Sequence, residues 1–239
     1  MILECDIGNS RCKWRLQNGS SSGVFDYRKE GFSFFENLES VTEVNACIVA
    51  GIEIASVFEK VITGLFGCQP RFAKTTSNCS GVHCAYKNVT SLGVDRWAAV
   101  VAAYKRVNGA VLVVDAGSAL TVDLVEVSGQ HLGGYIIPGH KLMCASLLKE
   151  TAAVSFDEVF DHVGFGASTQ QCVTGGVMTA LVGAVQLSIQ QASMRIGNNL
   201  AVILTGGDAE ILVPLLDCQV EVVPELVLDG LRWLLPDRS

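Results

Sequence analysis

The opening stretch Ile2-Leu3-Glu4-Cys5-Asp6-Ile7-Gly8-Asn9-Ser10-Arg11-Cys12-Lys13 has a counterpart in Ala110-Val111-Leu112-Val113-Val114-Asp115-Ala116-Gly117-Ser118-Ala119. Each is a short apolar run that ends in Asp-x-Gly and passes into small or hydroxyl residues. The two aspartates stand 109 residues apart, close to half of the 239-residue chain. The likeness extends beyond the turns. Residues 11–16 alternate, with Cys12, Trp14 and Leu16 on one face and Arg11, Lys13 and Arg15 on the other, and Asn18-Gly19 reads as a hairpin turn. Residues 120–127 form the matching strand and Ser128-Gly129 the matching turn. From aspartate to turn glycine is 13 residues in the first copy and 14 in the second. The repeat predicts an α/β fold of two similar lobes, 1–109 and 110–239, with the two Asp-x-Gly hairpins facing each other across a central cleft. Two unrelated hairpins sharing an Asp-x-Gly are the alternative.

The other elements fill in around this pattern. Residues 46–50 and 71–73 read as strands. Residues 55–66 read as a helix, with Val57, Val61, Ile62 and Leu65 on its apolar stripe. Residues 75–92 are polar and read as a loop before an apolar helix over 97–107. Gly133-Gly134-Tyr135-Ile136-Ile137-Pro138-Gly139 is a glycine-rich run expected after the third strand of the second half, as turn punctuation or as a pocket lining. Helices are expected near 140–150, over 169–192 and over 226–235, and strands over 201–204 and 220–223.

Several of these segments have the residue types of phosphoryl chemistry. Glycines at the two turns let backbone N–H groups approach a phosphate. Ser10 and Ser118 add hydroxyl donors, and Lys13 reaches phosphate oxygens from the basic face. Asp6 and Asp115 supply the carboxylates that a metal–nucleotide complex needs. Asp6 would otherwise be an Asx-turn residue. Thr205-Gly206-Gly207-Asp208-Ala209 comes directly after a strand. It would let a base or ribose lie against backbone, or it is an ordinary turn with Asp208 as helix N-cap. Gly93-Val94-Asp95-Arg96 opens a helix. Asp95 is a carboxylate able to deprotonate a substrate hydroxyl and Arg96 a grip for an anionic group, with an N-cap as the alternative for Asp95.

Composition narrows the class. Hydrophobic residues make up 49 %, charged residues 17 %, and the mean hydropathy is +0.39, so the chain has the apolar surface to fold. A net charge of −7 and a pI near 5.1 argue against a nucleic-acid partner. Nine cysteines include no CxxC pair and are expected as free, mostly buried thiols in a reducing compartment. The acid at Glu4 and the lack of a basic start argue against a signal peptide. Residues 164–194 carry no formal charge, but their compact apolar part, 177–189, is short of the ~20 residues of a membrane span. A buried helix in a cytoplasmic protein is the expectation, with no membrane partner. His83, His131, His140 and His162 show no ligand spacing and are expected on loops or the surface.

Taken together, Asp6 to Lys13, Gly93 to Arg96, Asp115 to Ala119 and Thr205 to Ala209 resemble, in order and spacing, the motifs of the type III pantothenate kinase family. That family belongs to the superfamily of acetate and sugar kinases, heat-shock chaperones and actin, with a duplicated ribonuclease-H-like fold. The resemblance implies ATP-dependent phosphorylation of pantothenate, the first step of coenzyme A synthesis. It implies that Asp6, Ile7, Gly8, Asn9, Ser10, Arg11, Cys12 and Lys13 hold the ATP phosphates, with Ser118, Gly206 and Gly207 also at the nucleotide. It makes Asp95 the proton acceptor. Tyr86, Gly93, Val94, Asp95, Arg96 and Thr169 become pantothenate contacts. Asp115 becomes the site of a monovalent cation, potassium or ammonium, and Asp6 a ligand of the magnesium that accompanies ATP. A homodimer is implied. Positions 10 and 118, usually threonine in the family, are serine here and keep the hydroxyl. Residues 20–75 carry nothing diagnostic. Another small-molecule kinase of this fold, or a non-catalytic nucleotide-binding regulator, is the alternative. Retention of Asp6, Lys13 and Asp95 favours an active kinase.

Overall fold

A computed structural model describes residues 1–17, 19, 21–150, 164–197 and 199–236. Asn18 of the first hairpin turn and His162 lie outside the described residues. The chain divides into two compact units. One comprises Met1–Arg106 and the segment from Glu225 onward; the other is Val107–Pro224.

The first unit runs through β1 (Ile2–Ile7), β2 (Cys12–Leu16), β3 (Ser22–Phe25), α1 (Tyr27–Glu30), β4 (Glu43–Ile48), α2 (Ile52–Phe66) and β5 (Arg71–Phe72). It continues with β6 (Asn78–Cys79), β7 (Val82–His83) and α3 (Val94–Val107). The second unit contains β8 (Val111–Ala116), β9 (Ala119–Val125), β10 (His131–Pro138), α4 (His140–Glu150), α5 (Thr169–Ile196), β11 (Ala201–Thr205), α6 (Ala209–Leu212) and β12 (Glu221–Val222). The chain then returns to the first unit as α7 (Leu226–Leu234).

The two sheets have the same order, β3-β2-β1-β4-β5 and β10-β9-β8-β11-β12. In each, three strands form an antiparallel meander and the first of them pairs in parallel with the fourth, which pairs in parallel with the fifth. Parallel pairing needs a crossover, and the helices between the meander and the fourth strand supply it. The repeated aspartates take equivalent places. Asp6 lies opposite Lys13 on one side and Cys47 on the other, and Asp115 lies opposite Thr121 and Thr205.

Alternation of side chains sorts each sheet into two faces. In the first unit Leu3, Cys5, Ile7, Cys12, Trp14, Leu16, Val44 and Ala46 face an apolar core with Phe58 and Ile62 of α2. Residues 25–35 complete it with Phe25, Tyr27, Phe32 and Phe35, whose rings stack or meet edge-on at 5.1–6.4 Å within the cluster. The buried stripe of α2 differs from the expected one. Phe58 and Ile62 point inward, while Val57 and Leu65 are 50 % and 38 % exposed, because the phenyl ring rather than Val57 fills the core. In the second unit Leu112, Val114, Leu120, Val122, Val202 and Leu204 pack with Met178, Leu181 and Val185 of α5.

Four further differences arise from packing. The terminal helix α7, expected in the second lobe, belongs to the first unit. Gly230 there passes so close to α3 that a Cβ would collide with the Ala98 carbonyl oxygen. Residues 133–138 are not a turn after the third strand but are that strand, β10, paired with β9. The 75–92 segment holds the small β6–β7 hairpin. By length and composition α5 could cross a membrane, yet Val177, Met178, Leu181, Val185 and Ala192 are core residues. It is buried along one stripe only, with Leu187 and Met194 exposed. Of the nine cysteines, Cys5, Cys12, Cys47 and Cys144 are buried, while Cys172 and Cys218 are exposed.

Candidate active site

In the first unit the polar face of the sheet presents Glu4 and Asp6 from β1 opposite Arg15 and Lys13 from β2. Beyond Asp6 the turn is closed by Gly8 N–H donating to the Arg11 carbonyl at 3.1 Å. The buried Tyr27 hydroxyl donates to the Gly8 carbonyl at 2.8 Å, fixing that turn from beneath. Tyr27 lies in the segment where the sequence showed nothing diagnostic. An aromatic flanked by polar residues gives no local sign that its hydroxyl reaches a turn.

Asp95 is the second residue of α3, and the Gly93 carbonyl accepts the first helical bond, from Trp97 N at 3.0 Å. Asp95 is therefore not the N-cap. Its Oδ1 accepts from the Arg96 backbone N–H at 2.7 Å. Arg96 is buried, and its guanidinium donates to the Tyr86 hydroxyl at 3.2 Å. Tyr86, Asp95 and Arg96, predicted as one subsite, are thus joined by hydrogen bonds. The thiol of Cys47, on β4 beside Asp6, is pushed well above its ordinary pKa, first by burial and then by the negative charges of Asp6 and Asp95.

In the second unit three loops converge. The Gly117 N–H donates to the Ala119 carbonyl at 3.0 Å, the Gly139 N–H to the Ser118 carbonyl at 3.0 Å, and the Asp208 N–H to the Ala116 carbonyl at 2.9 Å. Gly206 has φ +90° and lies against the end of β8, where a Cβ would come within 2.5 Å of Asp115 Oδ1. Ser118 and Gly207 are exposed at this rim. Thr169 begins α5 behind its cap Ser168 and lines a groove of about 470 Å³ with Met143, Ser146 and Cys172. It is placed by the second unit.

Two histidines depart from expectation. His131 and His140 are buried, not on the surface. His131 contacts Asp123 at 2.9 Å and His140 contacts Asp208 at 3.1 Å. Asp208 makes no side-chain cap bond to α6. The spacing of these pairs along the chain, 8 and 68 residues, explains why local motifs did not disclose them.

Among the described residues no three His, Cys, Asp or Glu side chains gather as a metal cage. Magnesium, which keeps its waters and takes one or two carboxylates plus substrate phosphates, does not require such a cage. At Asp115, hard carboxylate and backbone oxygens fit an alkali cation better than a soft metal.

A sequence model described as type III pantothenate kinase matches residues 2–191. The type III pantothenate kinase of Alcanivorax borkumensis is 33 % identical over 97 % of both chains, and that of Azotobacter vinelandii is 35 % identical over 99 % of both. Two solved structures share the fold. A conserved putative Baf family transcriptional activator from Campylobacter jejuni has a TM-score of 0.62 at 23 % identity, over 96 % of this chain and 95 % of that one. The ethanolamine utilization protein EutJ of Carboxydothermus hydrogenoformans has 0.53 at 15 %, over 97 % and 89 %.

Proposed function

Because this chain belongs to the type III pantothenate kinase family, we propose the residue roles by which it works. The protein is a kinase that transfers a phosphoryl group from ATP to pantothenate, the first step of coenzyme A biosynthesis. Asp95 accepts the proton of the pantothenate hydroxyl as its oxygen attacks the γ-phosphorus. The bond to the β-phosphate oxygen breaks, and ADP leaves with the electron pair. Arg96 and Tyr86 hold the pantothenate carboxylate and neighbouring polar groups, with Gly93, Val94 and Thr169 as further contacts. Residues 6–13 hold the phosphates, and Ser118, Gly206 and Gly207 carry the rest of the nucleotide. Asp6 takes the magnesium that arrives with ATP, an ion that neutralises charge on the phosphates when bound. Asp115 takes potassium or ammonium, whose charge offsets that developing during transfer. The enzyme works in the cytoplasm as a homodimer, without nucleic acid or membrane. The exposed Leu142, Leu147, Leu187 and Met194 of the second unit support a second copy as partner.

The observation that carries this reading is the pair of hydrogen bonds in which Arg96 gives its guanidinium to the Tyr86 hydroxyl and its backbone N–H to Asp95 Oδ1. A coupled ADP-release assay tests it. Pantothenate should support turnover while acetate and sugars do not. The rate in potassium or ammonium should exceed that in a tetraalkylammonium buffer at equal ionic strength. Turnover with a sugar would reassign the substrate, and equal rates in all cations would remove Asp115's cation.

A further inference from the structure

Asp208 stands at the N-cap position of α6, as the sequence offered, but its side chain takes a different partner. Its backbone N–H holds the Ala116 carbonyl at 2.9 Å, which ties the Gly206-Gly207 turn to the end of β8. Its side chain turns away from α6 and meets Nδ1 of His140, the first residue of α4, at 3.1 Å. An ionised carboxylate only accepts, so the ring nitrogen facing it carries the proton and donates. The imidazole is 4 % exposed and the carboxylate 27 %, so the bond is formed at the edge of the protein interior, where a charge-assisted hydrogen bond is strong. Gly139, just before His140, in turn holds the Ser118 carbonyl by its N–H at 3.0 Å. His140 therefore stands where the three loops 115–119, 137–140 and 205–209 meet. With Gly117, Gly139 and Asp208 it borders a small cavity of about 10 Å³, floored by Met178, Leu181 and Leu212.

We propose that His140 is a positioning residue for the nucleotide: by holding the Asp208 carboxylate it fixes the Gly206-Gly207 turn against the second Asp-x-Gly loop. This rests on the reading that these loops carry the nucleotide. The two tethers differ in kind. The Asp208 N–H bond sets the height of the turn above β8, and the His140 bond stops the turn rotating about it. Without His140 the turn still forms but samples several orientations, and ordering it falls to the ligand.

The test uses calorimetric titration of a non-hydrolysable ATP analogue, with steady-state kinetics on both substrates. His140→Leu fills the same space against Met178 and Leu181 but donates nothing. It should raise the analogue Kd and the ATP KM about tenfold, the scale of one charge-assisted hydrogen bond, and leave the pantothenate KM and saturating kcat within about twofold. His140→Asn puts an amide N–H near the Nδ1 position and should stay within about threefold of wild type. Asp208→Ala, which removes the acceptor, should lose as much as His140→Leu, and the double variant no more than either. Gly207→Asp is the control for the underlying reading, since that position opens to solvent and a carboxylate there fits the fold but repels phosphate. If Gly207→Asp weakens nucleotide binding and His140→Leu does not, the inference about His140 falls alone. If neither weakens it, the nucleotide reading falls with it. A His140→Leu loss shared equally by both substrates, or one that His140→Asn fails to restore, assigns His140 to general packing and overturns the proposal.

Discussion

Asp6 and Asp95 are 89 residues apart in the chain, yet both bear on the Cys47 thiol. Burial, ahead of those two charges, keeps the thiol neutral. Lys13, directly across the ladder from Asp6, supplies the positive charge. On the proposed roles, Lys13 serves one substrate and not the other. Lys13→Met should raise the ATP Kd by roughly tenfold or more, as expected for losing a charged hydrogen bond to phosphate, and leave pantothenate binding intact. Titration of each ligand checks this, and a loss confined to pantothenate would place Lys13 in the other subsite. Asp6, Lys13, Asp95 and Arg96 could be singled out as candidates because each sits in a short motif with a distinctive neighbour. Tyr27, His131 and His140 could not. Each meets a partner 8 to 68 residues away along the chain, and nothing in the local sequence distinguishes such a residue from ordinary core or loop.

At the scale of elements, the clasp on α7 is the feature that sequence periodicity missed. Arg15 lies on the face read as basic and phosphate-facing, but three carboxylates engage it: Glu4 at 2.5 Å, Asp229 at 2.7 Å and Glu225 at 3.0 Å. These bonds hold the terminal helix on the first unit, which a repeat counted from the aspartates assigned to the second half. Glu4 is buried, and burial raises its pKa above 4.5 despite the opposing effect of Arg15. A raised carboxyl means that the folded protein binds this proton more tightly than the unfolded chain. Its contribution is fully present below the unfolded pKa and is lost as pH rises through the folded value. Unfolding free energies of wild type and Glu4→Gln, measured from about pH 4 to neutrality, should therefore shift in favour of the variant as pH rises; a shift the other way would contradict the account. Arg15→Met, which strands Glu4 without its partner, should cost about 3–5 kcal/mol, read as a lowered denaturation midpoint. Strand alternation in residues 12–16 gave the correct faces. It could not say whether a cation on the polar face meets a ligand or a helix from the far end of the chain.

Over the whole molecule, the duplication was legible from two Asp-x-Gly turns and the spacing after them, and the equal strand orders of the two sheets bear it out. A repeated backbone plan imposes the same punctuation twice: an aspartate where the first strand ends and a glycine where the next turn begins. The lobe limits were less legible, since a helix returning to the first unit leaves no mark in a local pattern. The candidate residues are unequally shared between the units. The first unit gathers Asp6, Lys13, Tyr86, Asp95 and Arg96, and the second unit brings its three loops together around Asp115, Ser118 and Gly206. The central claim is that Asp95 is the base of a pantothenate kinase and not a structural acid of α3, whose first turn it does not cap. Single-turnover kinetics on Asp95→Asn, with pantothenate and ATP affinities measured alongside, test this most directly. The account predicts a transfer rate lower by about 10²–10⁴-fold with both affinities and the thermal midpoint nearly unchanged; an Asp95→Asn enzyme that transfers phosphate at close to the wild-type rate would contradict it.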